Sequence, residues 1–114
     1  MPERPVKMIL EDILEAINGI QRFLGEMTED EYYGDDKTRA AVERYLEILG
    51  EAANKLPEEI YLNYPKIEWS KIIAVRNRII HAYFDVNDKI IWEIAVKFLP
   101  DFKAGIKDIM QSFP

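Results

Sequence analysis

Val6, Ile9, Leu10, Ile13, Leu14, Ile17, Ile20 and Leu24 recur at spacings of three and four, which lays one apolar stripe along a helix from about residue 5 to 25. Gly25 follows as a stop. Thr28 and Glu31 then have the spacing of a capping box, opening a short turn toward Gly34. Asp35 or Asp36 caps a second long helix that carries Val42, Tyr45, Leu46, Leu49, Ala52, Ala53 and Leu56 on one side. It is expected to end near Lys55 or Leu56, because Pro57 disfavours helical geometry in the residue before it. The stretch Pro57–Pro65 suits a single helical turn. A third long helix is predicted from about Trp69 to Tyr83, with Trp69, Ile72, Ile73, Val75, Ile79, Ile80 and Tyr83 as its apolar positions. It gives way at Asp85-Val86-Asn87, where Asn87 or Asp88 caps the next element. The last helix shows Ile90, Ile91, Ile94, Ala95, Phe98 and Leu99, meets Pro100, and continues with Phe102, Ile106, Ile109 and Met110. A kink or break is expected at Pro100, which has no N–H to donate.

No strand pattern survives this reading, so the expected class is all-α: an antiparallel bundle of four to five helices joined by short connections, forming one domain over residues 1–114. Gly50 interrupts the second helix on its packing side. A glycine there costs about 1 kcal/mol relative to alanine, and close helix–helix approach is the ordinary reason to retain one. Glu51 beside it reads as a solvated or paired side chain, with an Arg of the third helix as one available partner.

Composition narrows the field. Of 114 residues 48% are hydrophobic and 32% charged, enough for a real core under a solvated surface and the opposite of a disordered chain. The chain has no Cys, which removes disulfides, thiolate nucleophiles and Cys-based metal sites. No apolar run is long enough for a membrane span or a signal peptide, so the expectation is a soluble, cytoplasmic protein with no membrane partner. A formal charge of −6 argues against phosphate binding by the surface as a whole. The charge is uneven, however. Glu26, Glu29, Asp30, Glu31, Asp35 and Asp36 form a run without a base, either a solvated loop or a face for a basic partner, whereas Lys66, Lys71, Arg76 and Arg78 are opposed by Glu68 alone.

The one cluster that composition does not explain is Arg76-Asn77-Arg78-Ile79-Ile80-His81-Ala82-Tyr83, which gathers the only His, two Arg, an amide and a phenol. At about 100° per residue, Arg76 and His81 lie about 140° apart around a helix, whereas Arg76 and Tyr83 fall within about 20° of one line. Spacing leaves two readings open. An Arg and a His near a helix end are commonly a structural ion pair or partners of the helix dipole, and a Tyr at helical spacing is commonly core. The same groups also suit phosphate chemistry: an imidazole exchanges protons near neutral pH, and a guanidinium clamps phosphate oxygens with paired donors. Trp69, Trp92, Tyr32, Tyr33, Tyr61 and Tyr64 read as core or interface before base-stacking rings. The glycines are scattered singly, so no phosphate-cradling loop is present.

Arg76-Asn77-x-x-x-His81-x-Tyr83 resembles the Arg-polar-x-x-x-His-x-Tyr signature of the HEPN superfamily, and specifically the HepT toxins encoded beside a minimal nucleotidyltransferase antitoxin in type VII modules. The run from Arg44 to Pro57, Trp69 ahead of the motif, and Tyr83-Phe84-Asp85, Ile91-Trp92-Glu93 and Leu99-Pro100 after it extend the likeness over essentially the whole chain. The resemblance implies a HEPN-type bundle that dimerises through the motif-bearing third helix, and a metal-independent endoribonuclease with no cofactor. Arg76, Asn77 and His81 are then the expected catalytic residues, Lys71 and Arg78 the expected RNA-binding residues, and no metal site is expected. A twofold homodimer would supply two copies of His81, one as base and one as acid, and would pool Lys71, Arg76 and Arg78 into a local basic groove. The resemblance further implies that the nucleotidyltransferase partner neutralises the toxin by AMPylation of Tyr83, placing charge and bulk in the RNA cleft. Two rivals stand beside it: a non-catalytic subunit that presents a nucleotide, a substrate or Tyr83 to that nucleotidyltransferase, and a purely structural dimerisation module.

Overall fold

The computed structural model describes residues 4–114. Helix α1 (Val6–Leu24) stops at Gly25, whose φ of 51° lies in the region glycine occupies at low cost. The Thr28–Glu31 capping box forms as the spacing predicts and starts the short α2 (Glu29–Tyr33). Asp35 takes the cap of α3 (Asp36–Asn54), its carboxylate accepting from the Thr38 N–H. Pro57 precedes α4 (Glu58–Asn63), and α5 spans Trp69–His81.

The chain after α5 departs from expectation at two places. The third long helix does not reach Tyr83: Ala82 leaves helical geometry, and residues Tyr83–Asp85 form a tight 3₁₀ turn. That turn is fastened by the Asp85 N–H donating to the Ala82 carbonyl and by the Asp85 carboxylate accepting from Arg78 at 2.9 Å. The second departure is at Pro100, where the chain is not broken. Asn87 caps α6 (Asp88–Glu93), a π-helical turn follows at Ile94–Phe98, and α7 (Leu99–Gln111) continues without a gap. Within this widened turn the Leu99 N–H donates to the Ile94 carbonyl, five residues back. Registering the ladder one residue wider just before a residue with no N–H keeps the helix going where a regular α-helix would lose a bond.

The four long helical segments, α1, α3, α5 and the α6–α7 rod, form the bundle. Val6 and Ile9 at the start of α1 share a groove with Ala52 and Lys55 at the end of α3, so these helices run antiparallel. Lys7 donates to the carbonyl of Pro114, and Lys103 to the Gln21 amide, which sets α7 antiparallel to α1. Ile13, Ile17 and Ile20 of α1, Leu46 and Leu49 of α3, Ile72 of α5 and Leu99, Ile106 and Ile109 of the rod have no measurable exposure and make the centre of the core. At roughly 1.5–3 kcal/mol for each such side chain, their burial is the main term holding the bundle together.

The aromatic side chains expected in the core divide between the core and its margins. Trp69 is buried edge-to-face against both Tyr61 and Phe102, with its indole N–H donating to the Tyr64 carbonyl. Tyr32 is buried and packs on Trp92, pinning α2 to α6. The acidic run is not idle either: Glu31 and Asp35 cap helices, Glu29 accepts from the Tyr33 hydroxyl, and Asp36 pairs with Arg39. Among the described residues no helix is long and apolar enough to cross a membrane.

Candidate active site

Arg76 is placed by Gly50. A Cβ built on Gly50 would overlap the Arg76 Cβ, lie 2.8 Å from its Cγ and 3.1 Å from the Ile72 carbonyl oxygen. The missing side chain on α3 is therefore the space that the Arg76 stem fills, which accounts for the glycine at a buried position in mid-helix. The guanidinium then turns outward, and one Nη donates to the Asn77 Oδ1 at 2.8 Å. Its Nε is buried with no hydrogen-bond partner. Among the described residues Arg76 forms no ion pair: Glu51, one available partner, is exposed and pairs with Lys55 instead.

A half-buried guanidinium without a counter-ion is an unusual thing to keep, because desolvating a charge is costly unless an opposite charge or full hydrogen bonding offsets it. His81 stands four residues beyond Asn77, on the same side of α5 by helical spacing, and is exposed in the last turn of the helix. Asn77, bonded to the half-buried Arg76, and His81 one turn further on make a polar strip along the C-terminal half of α5, with no hydrogen bond joining His81 to the other two among the described residues. Chemically the strip offers a fixed cation with spare donors, an amide that orients it, and one group able to take or give a proton.

The remaining predicted residues are distributed differently. Tyr83 is not on the helical line with Arg76 that its spacing suggested, because α5 ends at His81; it sits on the 3₁₀ turn, 79% exposed. Phe84 beside it is 82% exposed, the two rings meeting edge-to-face at 5.9 Å. Arg78 is exposed and engaged with Asp85. Lys71 is not brought to the strip. It lies about 15 Å before His81 along the helix axis, given a rise of about 1.5 Å per residue, and its ammonium rests over the Phe98 ring.

Lys71 instead lines a cleft of about 930 Å³ between the α4–α5 connection and the α6–α7 rod. Lys66, Lys71 and Lys97 there are balanced by Glu68, Glu93, Asp101 and Asp108, so this cleft is no basic groove. No local pattern signals this, since the α6–α7 partner of Lys71 is set by tertiary packing. Among the described residues no three His, Asp or Glu side chains converge on a point where a metal ion could sit.

The family model described as ribonuclease HepT-like matches residues 13–109. A presumptive RNase of Methanocaldococcus jannaschii is 40% identical over 97% of this chain and 92% of its own length. The "probable ribonuclease HepT" of Thermococcus cleftensis is 38% identical over 94% of this chain and 97% of its own. A presumptive RNase of Caldanaerobacter subterraneus subsp. tengcongensis is 41% identical over 90% and 91%. No solved structure gives a significant match. The matched span runs from the middle of α1 into the last turn of α7 and takes in Gly50, the seated Arg76 and the polar strip on α5, so this all-α chain belongs to the HepT-like ribonuclease family.

Proposed function

We propose that the chain is a metal-independent endoribonuclease toxin of a two-gene module, acting as a homodimer and silenced by AMPylation of Tyr83. The observation that carries the reading is the half-buried, unpaired Arg76 beside an exposed His81. An RNA phosphate supplies the anion that Arg76 lacks. In the reaction the ribose 2′-oxygen attacks phosphorus and the bond to the 5′-oxygen breaks, leaving a 2′,3′-cyclic phosphate. His81 takes the 2′-hydroxyl proton, while the protonated His81 of the partner subunit delivers a proton to the leaving 5′-oxygen. Arg76 offsets the charge that grows on the equatorial oxygens, and Asn77 holds that guanidinium in place.

Two imidazoles are needed on opposite sides of phosphorus, and the chain has one His. Pairing two copies through the C-terminal half of α5, where Ile80 exposes apolar surface, provides the second. The controlling partner is a minimal nucleotidyltransferase. It joins AMP from ATP to the Tyr83 hydroxyl and releases pyrophosphate, and the high exposure of this phenol suits an acceptor that another protein must reach. The same exposure would serve a non-catalytic subunit that only presents Tyr83. Expression separates the two readings: growth arrest by the wild type, relieved in folded Arg76→Ala and His81→Ala, supports the nuclease, whereas arrest that persists in both refutes it. Sedimentation must also find a dimer; a stable monomer that cleaves RNA contradicts the shared site.

A further inference from the structure

Phe84 is the most exposed large apolar side chain among the described residues, and nothing in the core requires it. It occupies a turn of only three residues that is held through Asp85, whose N–H donates to the Ala82 carbonyl at 2.8 Å and whose carboxylate pairs with Arg78 at 2.9 Å. A surface phenyl ring on a loose loop would carry little meaning; one held on a fastened turn is presented. The edge-to-face contact with Tyr83, at 86° between ring planes, leaves ring surface open to a flat ligand. The residues leading into this turn carry Arg76, Arg78 and His81, and Arg78 is tied to the turn itself through Asp85. Exposed aromatic rings beside cations are the composition of a surface that binds single-stranded nucleic acid, where a ring stacks a base and a cation meets a phosphate.

We propose that Phe84 is a nucleobase-stacking residue that holds the base adjoining the scissile phosphate, so that the substrate is RNA unpaired at the cleavage point. The inference rests on the ribonuclease reading and deepens it. Every base has a stacking face, so the subsite selects for an unstacked nucleotide rather than for a particular sequence. A continuous duplex, whose bases are already stacked on one another, is excluded at this position. The ion pair with Asp85 positions the turn, and Arg78 remains exposed enough to meet the next phosphate.

The test uses a short single-stranded RNA carrying one 2-aminopurine, whose fluorescence is quenched on stacking. Binding is read on His81→Ala with and without Phe84→Leu or Phe84→Trp, so the result does not depend on cleavage. Quenching is expected with the native phenyl ring and with the tryptophan variant. It is expected to be lost with the leucine variant, which keeps apolar bulk but no ring face. In the otherwise wild-type chain, Phe84→Leu is expected to raise KM about tenfold with kcat nearly unchanged, while Phe84→Trp stays within about twofold. Equal quenching and equal KM for the leucine variant would overturn the proposal. So would a KM loss that comes with dissociation of the dimer in sedimentation, which would make the ring a subunit contact. If no variant cleaves RNA but quenching still follows the ring, the stacking subsite stands and the nuclease reading falls.

Discussion

Gly50→Ala is the sharpest perturbation the structure offers, because one methyl group separates two opposed effects. In an isolated helix the exchange would stabilise by about 1 kcal/mol. Here the new Cβ overlaps the Arg76 Cβ and lies 2.8 Å from its Cγ, against an ordinary carbon–carbon contact of about 3.5–4.0 Å. The Arg76 Cβ is fixed to the α5 backbone and cannot swing aside, so α3 and α5 must part by about 1 Å or more. Overpacking of this kind costs typically about 1–3 kcal/mol. The net expectation is a loss of up to about 2 kcal/mol, with a melting temperature lower by roughly 5 °C per kcal/mol for a chain of this size. Arg76 moves with α5, and a displacement near 1 Å at a reacting group costs about 10²-fold in rate. Thermal melting by circular dichroism, followed by RNA cleavage at a temperature where the variant is fully folded, checks both parts. Gly105→Ala is the control: its Cβ would meet only the end of the Ile67 side chain at 3.0 Å, which can rotate away, so stability within about 0.5 kcal/mol of wild type or slightly above is expected. A Gly50→Ala protein as stable and as active as wild type would refute the seating of Arg76.

Co-expression with the proposed nucleotidyltransferase partner should add AMP-sized increments to the intact mass of the wild type and none to Tyr83→Phe; increments that persist in the phenylalanine variant refute the acceptor. Burial, with the Asp88 charge adding to it and Arg39 opposing, holds the Glu43 carboxyl above its ordinary range, so the folded state binds that proton more readily than the unfolded chain, and ionisation as pH rises opposes folding. Glu43→Gln should therefore be more stable at pH 7, by no more than about 0.5 kcal/mol after solvent screening, with the gain vanishing in urea melts at acid pH. The helix caps have the opposite sign: backbone N–H groups of Thr28 and Thr38 hold Glu31 and Asp35 below their ordinary ranges. Their stabilisation is complete above the ordinary carboxylate range and is lost as pH falls through it, so Asp35→Asn, which keeps a cap without a titrating charge, should flatten the acid limb of the stability profile.

Features carried by neighbours in sequence could be read before any coordinates. The capping box at Thr28, the Asp35 and Asn87 caps and the Gly25 stop each depend on a few adjacent residues, and each forms as spacing predicts. Gly50 was legible for a different reason: a glycine inside an amphipathic helix is a standing cost that only a close approach repays, though which residue approaches was not readable. The end of α5 at His81 was missed because Ile79, Ile80 and Tyr83 continue the helical period, while the ion pair that fastens the following turn joins Arg78 to Asp85 across it. Pro100 signalled a disturbance, yet the π turn that absorbs it lies wholly before the proline. Asn77 accepts from Arg76 and His81 is exposed one turn further on, whereas Lys71 turns to the α6–α7 rod, because a cation on α5 faces whichever helix packs there.

The most direct measurement is digestion of a defined single-stranded RNA by the purified protein in excess chelator, comparing the wild type with His81→Ala and Arg76→Ala of verified fold. Chelator-resistant cleavage leaving 2′,3′-cyclic phosphate ends, reduced by about 10²-fold or more in each variant, is the predicted result. Cleavage that ceases with the chelator, or that proceeds at the wild-type rate without the imidazole, would contradict the account.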